Sequence, residues 1–202
     1  MSGGATRWRL LELQRRRKAI DAGIDLLDRK RDALVRALSQ RERAAAETRH
    51  ALDETLARAR TALDVAAVDI GAAACRAAAA AQPSAPPITV TREAVVGVRI
   101  PRITGRFGAF SPQYGPGGTS AGLDVAARRY VDVVPVLLRV AEEEQAAACL
   151  RRALRRTART LNALRAILLP AVDADIRAVT SGLEEEEREE AVRWRTGPPR
   201  AR

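Results

Sequence analysis

The sequence predicts a mainly α protein: a long antiparallel two-helix coiled-coil hairpin with a small central β-hairpin and a Gly/Pro-rich loop. The first observation is the composition, since 30% of the 202 residues are charged and only 3% are aromatic. Chains rich in Ala, Leu, Arg and Glu with helical periodicity are typical of long helices or coiled coils. The other two observations are apolar heptad repeats towards both ends and a β-branched, proline-containing segment between them.

The N-terminal segment, residues 6–81, is predicted to form one long helix. It contains no proline, and Thr6 is a suitable N-cap residue. Its apolar positions are spaced alternately by three and four residues, the heptad pattern of a coiled-coil seam. The seam residues are Leu10, Leu13, Ile20, Ile24, Leu27, Leu34 and Leu38, with Arg17 and Arg31 at two further positions. Beyond residue 38 the seam shifts phase and becomes rich in alanine, which allows two helices to approach closely.

The central segment, residues 82–122, has a different character. The sequence QPSAPP ends the helical pattern, and β-branched residues then alternate with turn residues. Residues 88–91 and 95–100 are predicted to be two short strands that form a hairpin. The following FGAFSPQYGPGGTSAG is predicted to be a loop, because it is rich in glycine and proline.

The C-terminal segment, residues 123–195, is predicted to be the second helix of the coiled coil, followed by a disordered tail at 196–202. Pro135 and Pro170 lie inside it, and each is expected to remove one backbone hydrogen bond and kink the helix. The closing LEEEEREEAVRWR is highly charged and has no continuous apolar stripe. The seam residues of this segment are Leu150, Leu154, Leu161, Leu164, Leu168, Val172 and Ile176.

The sequence contains no pattern for catalysis, metal binding or cofactor binding. Cys75, Cys149 and His50 are too few and too scattered for a zinc site. The cysteines are interpreted as small core residues, with a disulfide as the alternative. The glutamates of residues 184–190 follow one another along a helix, so they point around its axis and do not converge on a cation. No phosphate-binding loop occurs. We therefore predict a protein without catalytic residues and without a cofactor.

The basic charge leaves two further interpretations open. The net charge is +10, which suits nucleic acid, an anionic membrane surface or an acidic protein partner. Residues 151–165 contain several arginines, but these share their turns with the leucine seam, whereas a DNA-reading basic helix has its zipper beyond it. A nucleic-acid-binding helical protein and an unrelated basic coiled-coil scaffold therefore remain the alternatives. No apolar run of about 18 residues occurs, so we expect no direct insertion into a membrane.

Four stretches resemble a known family, the D subunits of V-type and archaeal-type ATP synthases. They are TRWRLLELQRRRKAIDAGIDLLDRKRDALV, RIPRI, RRTARTLNALRAILLPAVDADIRAV and LEEEEREEAVRWR, in the order and spacing of that family. The resemblance extends over essentially the whole chain. The matching residues are Gly23, Leu26, Leu27, Lys30, Arg31, Asp32, Leu34, Thr157, Arg159, Asn162, Ala163, Leu164 and Pro170.

The resemblance implies a central-stalk rotor subunit of a proton-translocating V-type ATPase or ATP synthase. Such a protein is not itself an enzyme and couples rotation of the membrane ring to ATP synthesis or hydrolysis in the catalytic A/B hexamer. The implied partners are the A and B subunits, the F subunit and the membrane-side socket subunit, without nucleic acid. The implied location is peripheral, at the cytoplasmic face of the plasma membrane. The expected bearing contacts with the hexamer are Arg7, Arg9, Arg15, Arg16, Glu186, Glu187, Arg188 and Arg193.

Two seam arginines suggest a register for the coiled coil. If residue 10 lies opposite residue 195, Arg17 is predicted near residues 188–190 and Arg31 near residues 173–175, where each has acidic neighbours. Polar residues in a seam can fix the alignment of two helices in this way. The alternative is that both arginines pack their stems and extend their guanidinium groups into solvent. In the same register Cys75 and Cys149 do not meet.

Overall fold

A computed structural model describes residues 7–82, 87–105, 111–115 and 119–197 of the chain. The elements are α1 (Arg7–Ile70), α2 (Ala72–Ala80), β1 (Ile88–Val95), β2 (Val98–Gly105), α3 (Ala121–Ala163), a π-helical segment (Leu164–Leu168) and α4 (Leu169–Thr196). The predicted mainly α fold, with two long helical arms and a β-hairpin, is confirmed. Thr6, most of the predicted loop before residue 119 and the tail after residue 197 lie outside the described residues.

The first helix ends earlier than the sequence predicted. A single helix was expected to residue 81, but α1 stops at Ile70, and Gly71 adopts φ +83° before α2 begins. Glycine takes positive φ without steric cost, because it has no Cβ. The amide of Gly71 still donates to the Ala67 carbonyl at 3.0 Å, and its carbonyl accepts from the Cys75 amide at 3.2 Å. The backbone therefore changes direction with few hydrogen bonds lost.

The β-hairpin is confirmed, but its strands are longer than predicted. The antiparallel register runs from Ile88 opposite Gly105 to Val95 opposite Val98, so the turn is formed by two residues. These are Val96 at φ 51° and Gly97 at φ 73°. Two successive residues with positive φ form the turn type whose twist matches that of the flanking strands. The sequence placed the turn between residues 91 and 95, because the β-branched Val96 is unusual at positive φ.

The chain divides into two compact units. Unit 1 contains the chain up to Asp32 and from Leu154 onward, and unit 2 contains Ala33–Ala153. The core of unit 1 forms where α1 packs against α3, the π segment and α4. Its buried residues are Ile20, Ile24, Leu161 and Val172, with Leu27, Leu164, Leu168, Leu169 and Ile176 packed around them.

The π segment corrects the phase of the unit 1 seam. The seam steps by four residues three times in succession, from Leu164 to Leu168, Val172 and Ile176. In an α-helix each such step overshoots a full turn by about 40°, so three steps carry the seam roughly 120° around the axis. One extra residue in a π turn removes about 100° of this drift. The apolar side chains therefore stay on one face.

Pro170 lies directly after this correction. It occupies one of the first positions of α4, where the fourth residue before it is Ala166 within the π segment. Proline cannot donate to that carbonyl, and its ring crowds it, so regular α bonding is unfavourable there. By contrast, α3 continues through Pro135 from Ala121 to Ala163. The kink expected at Pro135 stays a prediction.

Unit 2 has a core of small side chains. Ala66, Cys75, Ala78 and Leu123 are buried together, and Leu63, Ala67, Ile70 and Tyr114 pack around them. A Cβ atom on Gly122 would lie 3.7 Å from the Cα of Ala66 and 3.4 Å from a carboxylate oxygen of Asp69. The start of α3 therefore comes close to the backbone of α1. Cys75 is buried, Cys149 is half-buried, and both are free thiols.

Candidate functional site

The predicted bearing residues all have exposed side chains at the end of unit 1 formed by the start of α1 and the later turns of α4. Nη2 of Arg7 donates to Oε1 of Glu187 at 3.1 Å, so the first turn of α1 lies beside α4. Arg188 pairs within α4 with Glu184 and Glu185. Arg193 contacts Glu189, also within α4, at 3.4 Å. The side chains of these pairs are all more than half exposed, so their charges are accessible to a partner. Exposed pairs of this kind contribute little stability.

Large apolar side chains also lie exposed at this end. Trp8 is 71% exposed and Trp194 is 87% exposed, and these are the two tryptophans of the chain. Leu11 and Val192 are more than half exposed beside them in sequence. Tryptophan is enriched where proteins bind each other, and exposed apolar groups of this size indicate an interface. The sequence analysis missed these residues, although the repeated pattern RWR at residues 7–9 and 193–195 was a usable signal.

The predicted register of the seam is wrong. Nε of Arg17 donates to Oδ1 of Asp173 at 2.7 Å, whereas the prediction placed Arg17 near residues 188–190. Arg31 forms ion pairs with Asp28 at 3.0 Å and Asp32 at 2.9 Å in its own helix, not with residues 173–175. Arg17 was expected near residue 188 and pairs with residue 173, and more than one alignment along the axis brings two heptad seams face to face. Periodicity thus identifies the packed face but leaves the alignment along the axis open.

The electrostatics of the arginines follow these contacts. The pKa of Arg17 is raised above its ordinary value by its hydrogen bond to Asp173, with further contributions from the charges of Asp173 and Asp21. The pKa of Arg31 is raised mainly by the hydrogen bond to Asp32 and then by the charge of that carboxylate. Both guanidinium groups are therefore positive throughout the physiological range, as arginine always is.

The seam residues are packed throughout. Each predicted apolar seam residue of α1 is buried or half-buried, and so is each one of the C-terminal arm, whereas Arg17 is exposed. Eight of them belong to one cluster in unit 1: Ile20, Ile24, Leu27, Leu161, Leu164, Leu168, Val172 and Ile176. Leu34 and Leu150, both in unit 2, are fully buried.

Three consecutive glutamates of α3 organise unit 2. Oε2 of Glu142 accepts a hydrogen bond from the Ile103 amide at 2.8 Å, and Oε1 accepts one from Arg102 at 3.2 Å. Glu143 accepts from Nη1 of Arg41 at 3.0 and 3.1 Å, and Glu144 pairs with Arg49. Successive helical residues point about 100° apart, which allows one turn to reach both β2 and α1.

One more ion pair joins α1 to α3 in unit 2. Oε1 of Glu42 accepts from Nη2 of Arg151 at 2.6 Å, with both side chains about half exposed. Arg165 also pairs with α1, through Asp28. Both arginines are about half exposed, so they reach α1 along the surface of the helix pair.

The described residues provide little for metal chemistry or membrane insertion. No group of three or more His, Cys, Asp or Glu side chains in this part of the chain could hold a metal ion. His50 lies on the surface, 3.5 Å from Glu54. Among the same residues, no helix is both long and apolar enough to cross a membrane.

The fold and its surfaces define the class of protein: an α-helical hairpin protein whose charged, tryptophan-bearing end is suited to contact other proteins. The family model for the D subunit of ATP synthase matches residues 9–196. The chain belongs to this family, whose members are central-stalk components of rotary ATPases. Neither a nucleic-acid-binding protein nor an unrelated scaffold is favoured.

Similar proteins occur in bacteria and archaea. The chain is 34% identical to the V-type ATP synthase D subunit of Anaeromyxobacter dehalogenans over 198 residues, which cover 94% of this chain and 92% of the relative. It is 33% identical to the V-type ATP synthase D subunit of Thermus thermophilus over 190 residues, covering 93% and 84%. It is 32% identical to the A-type ATP synthase D subunit of Methanosphaera stadtmanae over 187 residues, covering 91% and 87%. The likeness therefore concerns the greater part of each protein.

Proposed function

We propose that this chain is the torque-transmitting rotor shaft between the membrane ring and the catalytic A/B hexamer of a proton-translocating rotary ATPase. The chain itself carries no catalytic residue and acts by mechanical coupling of rotation to ATP synthesis or hydrolysis. It works as a peripheral component at the cytoplasmic face of the plasma membrane. Family membership supports this assignment, because the relatives are ATP synthase subunits.

The bearing within the A/B hexamer is the exposed end of unit 1. The observation that carries this step is the contact between Arg7 and Glu187, which places the start of α1 beside α4 in the part of unit 1 that also carries the exposed Trp8 and Trp194. Apolar rings give the partner contact area, and the charged residues around them give a polar rim, as at other protein interfaces. The F subunit and the membrane-side socket contact the central part of the chain, about residues 60–140.

The proposal is tested by ending the chain after Leu183 in the assembled ATPase. Side chains 184–195 are all exposed, so among the residues that the structure describes the truncation removes none of the core, and we expect the rest of the chain to keep its packing. We expect ATP hydrolysis to continue while ion pumping driven by it is lost, and the truncated chain to retain its helical circular dichroism and its binding to the F subunit. Substituting Trp8 and Trp194 by Ala in the full chain gives the matched point variant, with a partial loss of coupling. Full coupling in the truncated complex would refute the assignment of the bearing.

A further inference from the structure

The π segment is placed by two independent features of the chain. The seam alone requires one extra residue somewhere between Leu164 and Ile176, where the three steps of four residues occur. Pro170 disfavours α bonding to the carbonyl of Ala166, so it favours the position before α4. Arg165, inside the segment, pairs with Asp28 of α1. The seam and Pro170 together select Leu164–Leu168 as the position of the π turn.

Asp28 is well suited to hold the segment. Its carboxylate is 22% exposed and contacts both Arg165 and Arg31, the latter at 3.0 Å. C-terminal to the segment, Arg17 donates to Asp173 at 2.7 Å. One ion pair to α1 therefore lies within the π segment, and a second lies beyond its C-terminal end.

A displaced π turn would rotate part of α4. If the extra residue moved towards the C-terminus, each residue that it passed would turn by about 100° about the helix axis. Val172 would leave the core, and Asp173 would leave Arg17. A rotor under torque experiences such a twisting load continuously, and π turns occur often at functional sites.

We infer that Asp28, Arg165 and Pro170 are positioning residues that lock the π turn at Leu164–Leu168, so that the α1–α4 pair transmits torque without slipping. The inference rests on the proposed rotor function. The lock acts through seam packing, since it keeps Val172 and Ile176 against Ile20 and Ile24. Arg17 and Asp173 form the neighbouring pair that a displaced turn would break.

The test combines Asp28→Asn with Pro170→Ala in the full chain. The native cysteines are first replaced by serine. Lys18→Cys and Ala174→Cys, at two exposed positions, then carry spin labels whose distance reports the rotation of α4 relative to α1. A side-chain tip 5–6 Å from the axis moves about 8 Å when a helix turns by 100°. We expect one distance population in the parent and in each single variant, and in the double variant a second population whose distance differs by up to about 8 Å. The conservative Asp28→Glu, combined with Pro170→Ala, should restore the single population.

Glu42→Gln is the matched control. It removes the α1 carboxylate that pairs with Arg151, and it leaves the π segment unchanged. It should keep the parent distance. In the assembled ATPase, the double variant should transport at most half as many ions per ATP hydrolysed, at an unchanged rate of hydrolysis.

The outcomes separate the two proposals. A double variant with the parent distance distribution overturns the lock. If the distance between the labels changes in the double variant but the number of ions transported per ATP does not, the inferred lock stands. Torque transmission through this helix pair is then refuted. A displaced distance in Glu42→Gln also overturns the lock, since any lost ion pair would then have the same effect.

Discussion

Leu161 gives the sharpest test of how unit 1 is held together. Its side chain is 2% exposed and packs with Ile20, Ile24 and Val172 in a core that contains no aromatic residue. Leu161→Ala removes buried methyl groups and leaves a cavity between long helices that have few neighbours to fill it. Substitutions of this type cost about 3 kcal/mol of the free energy of unfolding.

The measurement is urea denaturation followed by far-UV circular dichroism. The fit includes both the midpoint and the slope of the free energy of unfolding against urea concentration. The slope matters because the two units can unfold in separate transitions, and the loss is then expected in the transition of unit 1. Ile167→Ala is the matched control: it lies in the π segment, is 70% exposed, and should change stability by about 0.5 kcal/mol or less. A loss below about 1 kcal/mol for Leu161→Ala would refute the packed seam as the source of stability.

Two further predictions concern unit 2. Glu142→Gln should speed hydrogen exchange of the Ile103 amide, because a neutral amide accepts that hydrogen bond more weakly, while exchange at the turn of the hairpin stays unchanged. The pKa of Tyr114 is raised to about 12 by burial, by its hydrogen bond to Asp124 at 2.5 Å and by the charge of that carboxylate. A phenol whose pKa is higher in the folded state contributes stability below its unfolded pKa of about 10 and loses it as the pH rises to 12. In thermal unfolding, the Tyr114→Phe variant should therefore lose less stability than the parent between about pH 10 and 12. A loss as steep as that of the parent would contradict this.

The seam was predictable because burial of apolar side chains follows helical periodicity directly. The alignment of the helices was not, since Arg17 finds an acidic neighbour at Asp173 as readily as near residue 188. Axial alignment depends on the lengths of the connecting elements and on how α2 and the hairpin pack, which a local pattern does not contain.

Other features show where sequence signals are ambiguous or were overlooked. Gly23 lies inside α1 and Gly71 ends it, although both interrupt similar helical patterns. The π segment had a signal in the sequence: three four-residue steps of the seam next to Pro170. The residues named as expected bearing contacts were all charged, so Trp8 and Trp194 were not among them, whereas interfaces combine charged and apolar groups.

The glutamates at residues 142–144 have a consequence for how the chain reaches its native state. Each carboxylate has a different partner, in β2 or in α1, so a slip of α3 by a single residue would send all three to wrong neighbours together. Such a slip costs several charge-assisted hydrogen bonds at once. The alanine-rich seam of unit 2 discriminates poorly between neighbouring alignments, because alanines are alike. This one turn of acidic residues therefore destabilises misaligned packings of α3, which hydrophobic packing alone would not distinguish from the native one.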